Sequence, residues 1–180
     1  MSSALDDGDE SLTRVSALVR DVPDFPEPGV VFRDITPVLA DGAAFTDVAV
    51  ALAAVVGEAD LVVGVEARGF LVGAAAALAA GIGVVPVRKA GKLPRVAVSR
   101  SYDLEYGAAT LELPADTLAP GTRVFVVDDV LATGGTAAAA CDLVASVGAE
   151  VLGFATMIEL VELGGRARLG SLPVHALLSY

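Results

Sequence analysis

Residues 124–136 read VFVVDDVLATGGT and decide how the chain folds. The Val and Phe residues at 124–127 predict a short buried strand, and the alanine-rich residues 136–147 predict a helix. Between them, Gly134 and Gly135 allow a tight turn in which successive main-chain N–H groups face one point. The helix that follows adds its positive N-terminal end. The segment therefore predicts a strand, an anion-binding turn and a helix.

A second segment repeats this order. Residues 61–69 read LVVGVEARG, and an alanine-rich helix at 70–80 and a strand at 84–87 are expected after them. Both units run strand, acidic residue, glycine-containing loop, helix and strand. In an open α/β sheet, ligands bind outside the carboxyl ends of the strands. Both loops are therefore expected at one edge of the sheet, where they predict a ligand with two anionic ends.

The remaining sequence continues the alternation of strands and helices. We expect helices at 11–20 and 43–56, strands at 30–32, 110–113, 151–158 and 174–178, an extended loop at 22–29, and a polar irregular segment at 88–107. Such alternation predicts an α/β fold with an open, mainly parallel twisted sheet and helices on both faces. The length of 180 residues suits a single domain.

The amino terminus and the composition restrict the class of protein. Residues 1–10 contain acidic but no basic residues, unlike a secretory signal, so we expect a disordered acidic lead-in before one domain at 11–180. The uncharged run at 70–87 contains glycines and a proline, which favours a helix, a turn and a strand over a membrane span. Cys141 is the only cysteine, which excludes an intrachain disulfide and favours an intracellular protein.

Charge is unevenly distributed along the chain. The net charge of −11 disfavours nucleic-acid binding. Residues 60–100 nevertheless hold half of the 12 Lys and Arg residues, and a cationic stretch in an acidic protein predicts a local anion site. The adjacent carboxylates Asp128 and Asp129 would repel a phosphate, so they suit the hydroxyl groups of an attached sugar, or Mg²⁺ held through water.

Residues 128–136 resemble the phosphoribosyl-pyrophosphate (PRPP) signature of type I phosphoribosyltransferases. Four further stretches narrow the resemblance to the adenine phosphoribosyltransferases. Residues 25–37 (FPEPGVVFRDITP) resemble their base-binding segment, and residues 66–70 (EARGF) resemble their pyrophosphate loop. Residues 88–94 (RKAGKLP) and 101–107 (SYDLEYG) resemble their mobile catalytic loop.

The resemblance covers residues 11–180 and implies the type I phosphoribosyltransferase fold, with a small base-binding hood at about 11–40. It implies transfer of the phosphoribosyl group from PRPP to N9 of adenine, which yields AMP and pyrophosphate. It also implies Mg²⁺ bound with PRPP without a direct protein ligand, a homodimer, a cytoplasmic location, and no membrane or nucleic-acid partner. Two alternatives stay open: a phosphoribosyltransferase for another base, such as xanthine or hypoxanthine, and a non-catalytic regulator that senses PRPP.

The resemblance implies roles for individual residues. Asp128 and Asp129 would hold the ribose hydroxyls, and Glu105 would act as the acid or base near N7 of the purine. Arg68 would meet the pyrophosphate and stabilise charge during the reaction. The 5′-phosphate would be bound by Ala132, Thr133, Gly134, Gly135 and Thr136. The pyrophosphate side would be completed by Glu66, Ala67, Arg88, Lys89 and Lys92. Adenine would lie against Val31, Phe32, Arg33 and Leu160.

Further expectations follow from the resemblance. The carbonyl of Val31 and the amide of Arg33 would read the edge of the purine, and Phe32 would stack on its face. Residues 90–104 would form a mobile lid that orders over the pyrophosphate. Gly164 and Gly165 would belong to a peripheral turn.

Overall fold

The computed structural model describes residues 3–103 and 107–180, and their side chains over 10–102 and 107–180. The chain divides into two compact units, Met1–Ala49 and Val50–Tyr180, where the sequence predicts a single domain with a hood at about 11–40. Glu105, the predicted acid or base, lies outside the described residues.

The first unit consists of helices and a two-stranded antiparallel sheet. It contains helix α1 (Ser3–Leu18), strands β1 (Arg20–Pro23) and β2 (Val31–Asp34), helix α2 (Thr36–Ala40) and the beginning of helix α3 (Gly42–Val56). Strands β1 and β2 pair antiparallel, with Val22 opposite Phe32. The unit therefore presents the predicted base-binding segment on a two-stranded hairpin.

The first unit differs from the sequence prediction at three places. Residues 3–10 belong to α1, whereas the sequence predicts a disordered lead-in and a helix that begins at residue 11. Strand β1 and helix α2 are not predicted either. A strand of four residues that ends in Pro23 gives little local signal, because its pairing with β2 defines it.

The second unit is a seven-stranded sheet in the order β5-β6-β4-β3-β7-β8-β9. Strands β3, β4, β7, β8 and β9 are parallel, and β5 and β6 form an antiparallel edge. In the part of the chain that the structure describes, this unit begins with the end of α3 and continues with β3 (Leu61–Val65), α4 (Gly69–Ala80), β4 (Gly83–Lys89), β5 (Val96–Asp103), β6 (Ala108–Pro114), β7 (Arg123–Leu131), α5 (Gly135–Ala145), β8 (Glu150–Glu159), the 3₁₀ helices Val161–Leu163 and Gly165–Leu169, and β9 (Val174–Ser179). The predicted open, mainly parallel sheet is confirmed.

Helices α4 and α5 cover opposite faces of this sheet. A Cβ atom on Gly73 of α4 would lie 3.3 Å from Val62 Cγ1 and 3.4 Å from Gly64 Cα. Helix α5 instead contributes to a buried cluster with Val63 and Val65. Successive residues of a strand face opposite sides of the sheet, so the two helices lie on different faces. The predicted layering is confirmed.

The cationic segment is more regular than its sequence predicts. Residues 88–107 are predicted to be irregular, but β4 continues to Lys89 and β5 occupies Val96–Asp103, where it pairs with β6 from Ser99 opposite Glu112 to Asp103 opposite Ala108. An edge strand tolerates polar and charged side chains, which is why composition alone does not reveal it. The predicted lid at 90–104 is therefore largely a sheet strand.

Along residues 3–103 and 107–180, no helix is long and apolar enough to cross a bilayer.

Candidate active site at the carboxyl edge of the sheet

The phosphate loop, residues 132–134, joins β7 to α5. Gly134 adopts a φ of +80°, a conformation that favours glycine, and α5 begins at the next residue. A pocket of about 100 Å³ opens at this point. Its lining consists of Asp128, Val130, Leu131, Ala132, Thr133, Gly134, Gly135, Thr136 and Ala137. The residues predicted to bind a phosphate thus surround one concavity at a helix N-terminus.

Two buried carboxylates lie beside this pocket. The main-chain N–H of Asp129 donates to Asp128 Oδ1 at 2.8 Å, and both residues are buried. Burial raises the pKa of the Asp128 carboxyl well above its ordinary value, and the adjacent charge of Asp129 raises it further. Arg68 Nη2 lies 2.8 Å from Asp129 Oδ2. This ion pair joins Asp129, which is predicted to hold the ribose hydroxyls, to Arg68, which is predicted to meet the pyrophosphate.

The first residue of α4 also brings the two loops together. A Cβ atom on Gly69 would lie 2.6 Å from Asp128 Oδ1, 3.0 Å from Asp128 Cα and 3.1 Å from the Val127 carbonyl oxygen. Two of these neighbours are main-chain atoms, which a rotamer change cannot move. The pyrophosphate loop, residues 66–68, therefore approaches the end of β7 as closely as it does because residue 69 has no side chain.

The Glu66 carboxylate gathers cations. Its side chain is buried; Oε2 accepts hydrogen bonds from Arg88 Nε at 3.2 Å and from the Lys89 main-chain N–H at 2.9 Å, and Oε1 pairs with Lys92. Partial burial acts to raise the pKa of Glu66, but Lys92, the Lys89 amide and Arg88 outweigh it, and the pKa is lowered. The side chain thus holds two predicted pyrophosphate ligands rather than facing the anion itself. The Lys89 residue and Ala67 are exposed.

Gly165 is not peripheral, which corrects the sequence prediction for this residue, whereas Gly164 is exposed and nothing lies within 4 Å of an added Cβ atom there. A Cβ atom on Gly165 would overlap the Ala132 carbonyl oxygen and lie 2.9 Å from the Gly134 nitrogen. A Cβ atom on Gly134 would in turn overlap the Gly165 carbonyl oxygen. The turn therefore packs its main chain directly on the phosphate loop. Sequence motifs do not reveal this contact, because it joins residues about thirty positions apart.

Comparison with known proteins places this site in a family. The sequence model of the phosphoribosyl transferase domain matches residues 38–168. A protein of Saccharopolyspora erythraea named adenine phosphoribosyltransferase is 59% identical over 181 residues, which cover 97% of this chain and 96% of the relative. The chain belongs to the adenine phosphoribosyltransferase family. A member from Salinispora tropica is 58% identical over 176 residues, covering 97% of this chain and 94% of the relative.

Solved structures of adenine phosphoribosyltransferases share the fold. The enzyme of Rhodothermus marinus superposes with a TM-score of 0.89 at 46% identity, over 96% of this chain and 99% of the other. The enzyme of Saccharomyces cerevisiae, crystallised with an imino-altritol 1,6-bisphosphate and adenine, gives a TM-score of 0.88 at 38% identity, over 94% and 99%. These relatives confirm the predicted fold class and enzyme class, and they do not favour another base or a non-catalytic regulator.

The base-binding residues that the family resemblance implies lie in both units. Phe32 of β2 is half-buried, and its ring lies 5.2 Å from that of Phe25 at an interplanar angle of 76°. The Arg33 guanidinium pairs with Asp21. Leu160 follows β8 in the second unit, where its N–H donates to the Leu131 carbonyl at 2.9 Å.

Strand β5 touches α5 through Tyr102 and Arg100, for which the sequence predicts no individual role. The hydroxyl groups of Tyr102 and Thr136 lie 3.0 Å apart, and Arg100 Nη2 lies 2.6 Å from Asp142 Oδ2. Tyr102 is part of the SYDLEYG stretch, so its position in a family motif was the available signal. These contacts connect the segment that leads towards Glu105 with the beginning of α5 at Thr136 and with its later part at Asp142.

Proposed function

We propose that this enzyme transfers the 5-phosphoribosyl group of PRPP to N9 of adenine and releases pyrophosphate. The observation that carries the proposal is the meeting of two anion-binding loops at the Arg68–Asp129 ion pair, with the phosphate pocket beside it. PRPP has a phosphate at one end, a pyrophosphate at the other and ribose hydroxyls between them. The order phosphate loop, carboxylates and cationic loop matches that distribution of charge.

The proposed chemistry depends on position and charge. The bond between C1 of the ribose and the pyrophosphate oxygen breaks, and a bond to N9 of adenine forms. The leaving group is strongly anionic, so positive charge stabilises the transition state. This charge comes from Arg68 and from two cations that Glu66 holds in place, Arg88 and Lys92. Asp128 and Asp129 hold the ribose hydroxyls. We assign Glu105 the role of acid or base near N7 on the family resemblance.

The residues present fit a Mg²⁺ ion that enters with PRPP. Mg²⁺ is usually held by one or two carboxylates together with substrate phosphates and water. Among the described residues, no group of three His, Cys, Asp or Glu side chains is arranged to hold a metal ion. Asp128 and Asp129 lie beside the pocket and would contact such an ion through water or the ribose. The ion would neutralise charge on the pyrophosphate.

A homodimer in the cytoplasm completes the proposal. One side of α4 carries apolar residues at helical spacing that remain exposed: Leu71 is 53% exposed and Leu78 is 83% exposed, with Ala74 between them. Such a stripe is typical of a contact surface. A second copy of this chain is the proposed occupant, because α4 begins directly after Arg68 and a contact along it would be continuous with the site.

The variant Leu78→Asp is expected to convert the dimer to a monomer. A charge within an apolar contact loses its hydration without gaining a partner. Light scattering after gel filtration should give twice the 18.1 kDa chain mass for the wild type and the single mass for the variant. The control is Val50→Asp, which alters a valine that is 59% exposed on α3 and should leave the dimer intact. A dimeric Leu78→Asp variant would contradict this surface assignment.

The variant Tyr102→Phe is expected to have a moderately lower kcat/KM for PRPP. Loss of the hydroxyl leaves the Thr136 hydroxyl less well oriented towards the 5′-phosphate, and one hydrogen bond contributes roughly 1 kcal/mol. This corresponds to about a fivefold fall in kcat/KM for PRPP. Ser101→Ala removes the adjacent hydroxyl contact with Thr110 and should change kcat/KM less than twofold. Equal effects of both substitutions would show that the Tyr102 hydroxyl has no specific role.

The function is tested by a product assay. The purified protein is incubated with PRPP, Mg²⁺ and adenine, hypoxanthine, xanthine or orotate in turn, and the products are separated by chromatography. We expect AMP and pyrophosphate in equal amounts from adenine. The absence of AMP in the adenine reaction would contradict the proposed function.

A further inference from the structure

We propose that Glu159 and Arg166 are positioning residues that hold the phosphate loop in its binding conformation, with Gly165 as the point of contact. The proposal rests on the proposed function, because it concerns how the loop receives the 5′-phosphate of PRPP or AMP. The segment involved is the bracing turn, residues 160–170, which follows β8 and contains both 3₁₀ helices.

The bracing turn touches the phosphate loop through main-chain atoms on both sides. Gly165 is buried, and a side chain there would meet the Ala132 carbonyl oxygen and the Gly134 nitrogen. A side chain on Gly134 would likewise meet the Gly165 carbonyl oxygen. Because neither contact involves a flexible side chain, a displacement of the turn is transmitted directly to the phosphate loop.

An ion pair fixes the turn immediately beyond Gly165. Arg166 Nε donates to Glu159 Oε1 at 3.0 Å, and Arg166 Nη2 donates to Glu159 Oε2 at 2.5 Å. The third nitrogen, Nη1, donates to the Val174 carbonyl at 2.7 Å. Glu159 is only 5% exposed, so its charge requires this partner. A two-pronged arginine–carboxylate pair restricts direction as well as distance, which suits a positioning role.

The same pair lies beside the other end of the phosphate loop. Glu159 is opposite Leu131 in the β7–β8 register, and Leu131 immediately precedes Ala132. The adjacent Leu160 N–H donates to the Leu131 carbonyl at 2.9 Å. Arg166 thus joins the strand end where the phosphate loop begins to the turn on which the loop rests. Without this connection, the loop keeps its sequence but loses a fixed support.

A displaced phosphate loop should weaken phosphate binding more than it slows the chemical step. The 5′-phosphate is remote from the bond that breaks, so its contacts are the same in the ground state and the transition state. Removing such uniform binding raises KM and leaves kcat unchanged. A role confined to fold stability has a different signature, because KM and the Kd for AMP report only on folded molecules.

The test compares Arg166→Ala, Arg166→Lys and Gly165→Ala with two controls. Arg123→Ala removes the Arg123–Asp60 ion pair at the opposite end of β7, and Gly42→Ala adds a methyl group where nothing lies within 4 Å. The measurements are KM and kcat for PRPP, the Kd for AMP by calorimetry, and Tm. We expect Arg166→Ala and Gly165→Ala to raise KM and Kd about tenfold or more, with kcat within threefold of wild type. Arg166→Lys keeps the positive charge but cannot donate two parallel hydrogen bonds to Glu159. Its KM and Kd should therefore fall between those of the wild type and those of Arg166→Ala.

The outcomes separate this proposal from the proposed function. Values of KM and Kd within twofold of wild type in all three test variants, with Tm lowered as in Arg123→Ala, would overturn the positioning role. A wild-type protein that does not bind AMP would overturn the proposed function and this proposal together. If Arg166→Ala does not fold, Arg166→Lys and Gly165→Ala decide the question by the same criteria.

Discussion

Replacing Gly69 with alanine is expected to lower kcat/KM for PRPP by about 10²–10³-fold. The added Cβ atom would lie 2.6 Å from Asp128 Oδ1, which is closer than real contacts allow, and 3.0 Å from Asp128 Cα, which is a tight contact. The Asp128 carboxylate is buried and accepts a hydrogen bond from the Asp129 N–H, so the added atom must either displace this carboxylate or move the pyrophosphate loop away from the end of β7. Arg68 and Asp129, now 2.8 Å apart, would then present the two ends of PRPP with altered spacing. A misplacement of about 1 Å is enough to cost roughly 10²-fold.

The matched control for this substitution is Gly42→Ala. Gly42 is also the first residue of a helix, but nothing lies within 4 Å of the atom that alanine adds. Its kcat/KM should stay within twofold of wild type. Circular dichroism establishes that both variants are folded. A folded Gly69→Ala variant with wild-type kcat/KM would show that close approach of the two loops is not needed for the reaction.

The sequence predicts the structural elements at the centre of the candidate site because their signals are local. A run of valines, two acids, two glycines and an alanine-rich segment are sufficient for a strand, a turn and a helix at 124–147. The same holds for the unit that begins with β3. The order of these units along the chain then gives the parallel sheet and its single functional edge.

Contacts between distant residues are what the sequence does not reveal. Strand β5 exists through its pairing with β6, and its charged residues resemble a loop in composition. The role of Gly165 depends on a main-chain contact with Ala132, and that of Glu66 on the positions of Arg88 and Lys92. Each of these features becomes visible only in the folded structure, because the same residue type can occur in several different surroundings.

Discrimination between purine bases is the second large effect that we expect. In the proposed arrangement, the Val31 carbonyl accepts a hydrogen bond from the 6-amino group of adenine, and the Arg33 amide donates to N1. Hypoxanthine has an oxygen at position 6 and a hydrogen on N1, so acceptor faces acceptor and donor faces donor. Each unpaired buried group costs about 1–3 kcal/mol. Two such mismatches together lower kcat/KM for hypoxanthine by roughly 10²–10⁴-fold.

The side chain of Arg33 should contribute little to this discrimination. Its guanidinium pairs with Asp21 of the neighbouring strand, so the proposal assigns base reading to the main chain. The variant Arg33→Ala is expected to keep the preference for adenine within about threefold. A preference that collapses in Arg33→Ala but not in wild type would assign base reading to the side chain instead.

The assignment of adenine as the substrate is decided by one ratio, that of kcat/KM for adenine to kcat/KM for hypoxanthine. It is measured on the wild-type protein with saturating PRPP and Mg²⁺. We expect a ratio of roughly 10²–10⁴ in favour of adenine. A ratio near one, or one that favours hypoxanthine, would contradict the assignment of this chain as an enzyme that makes AMP from adenine.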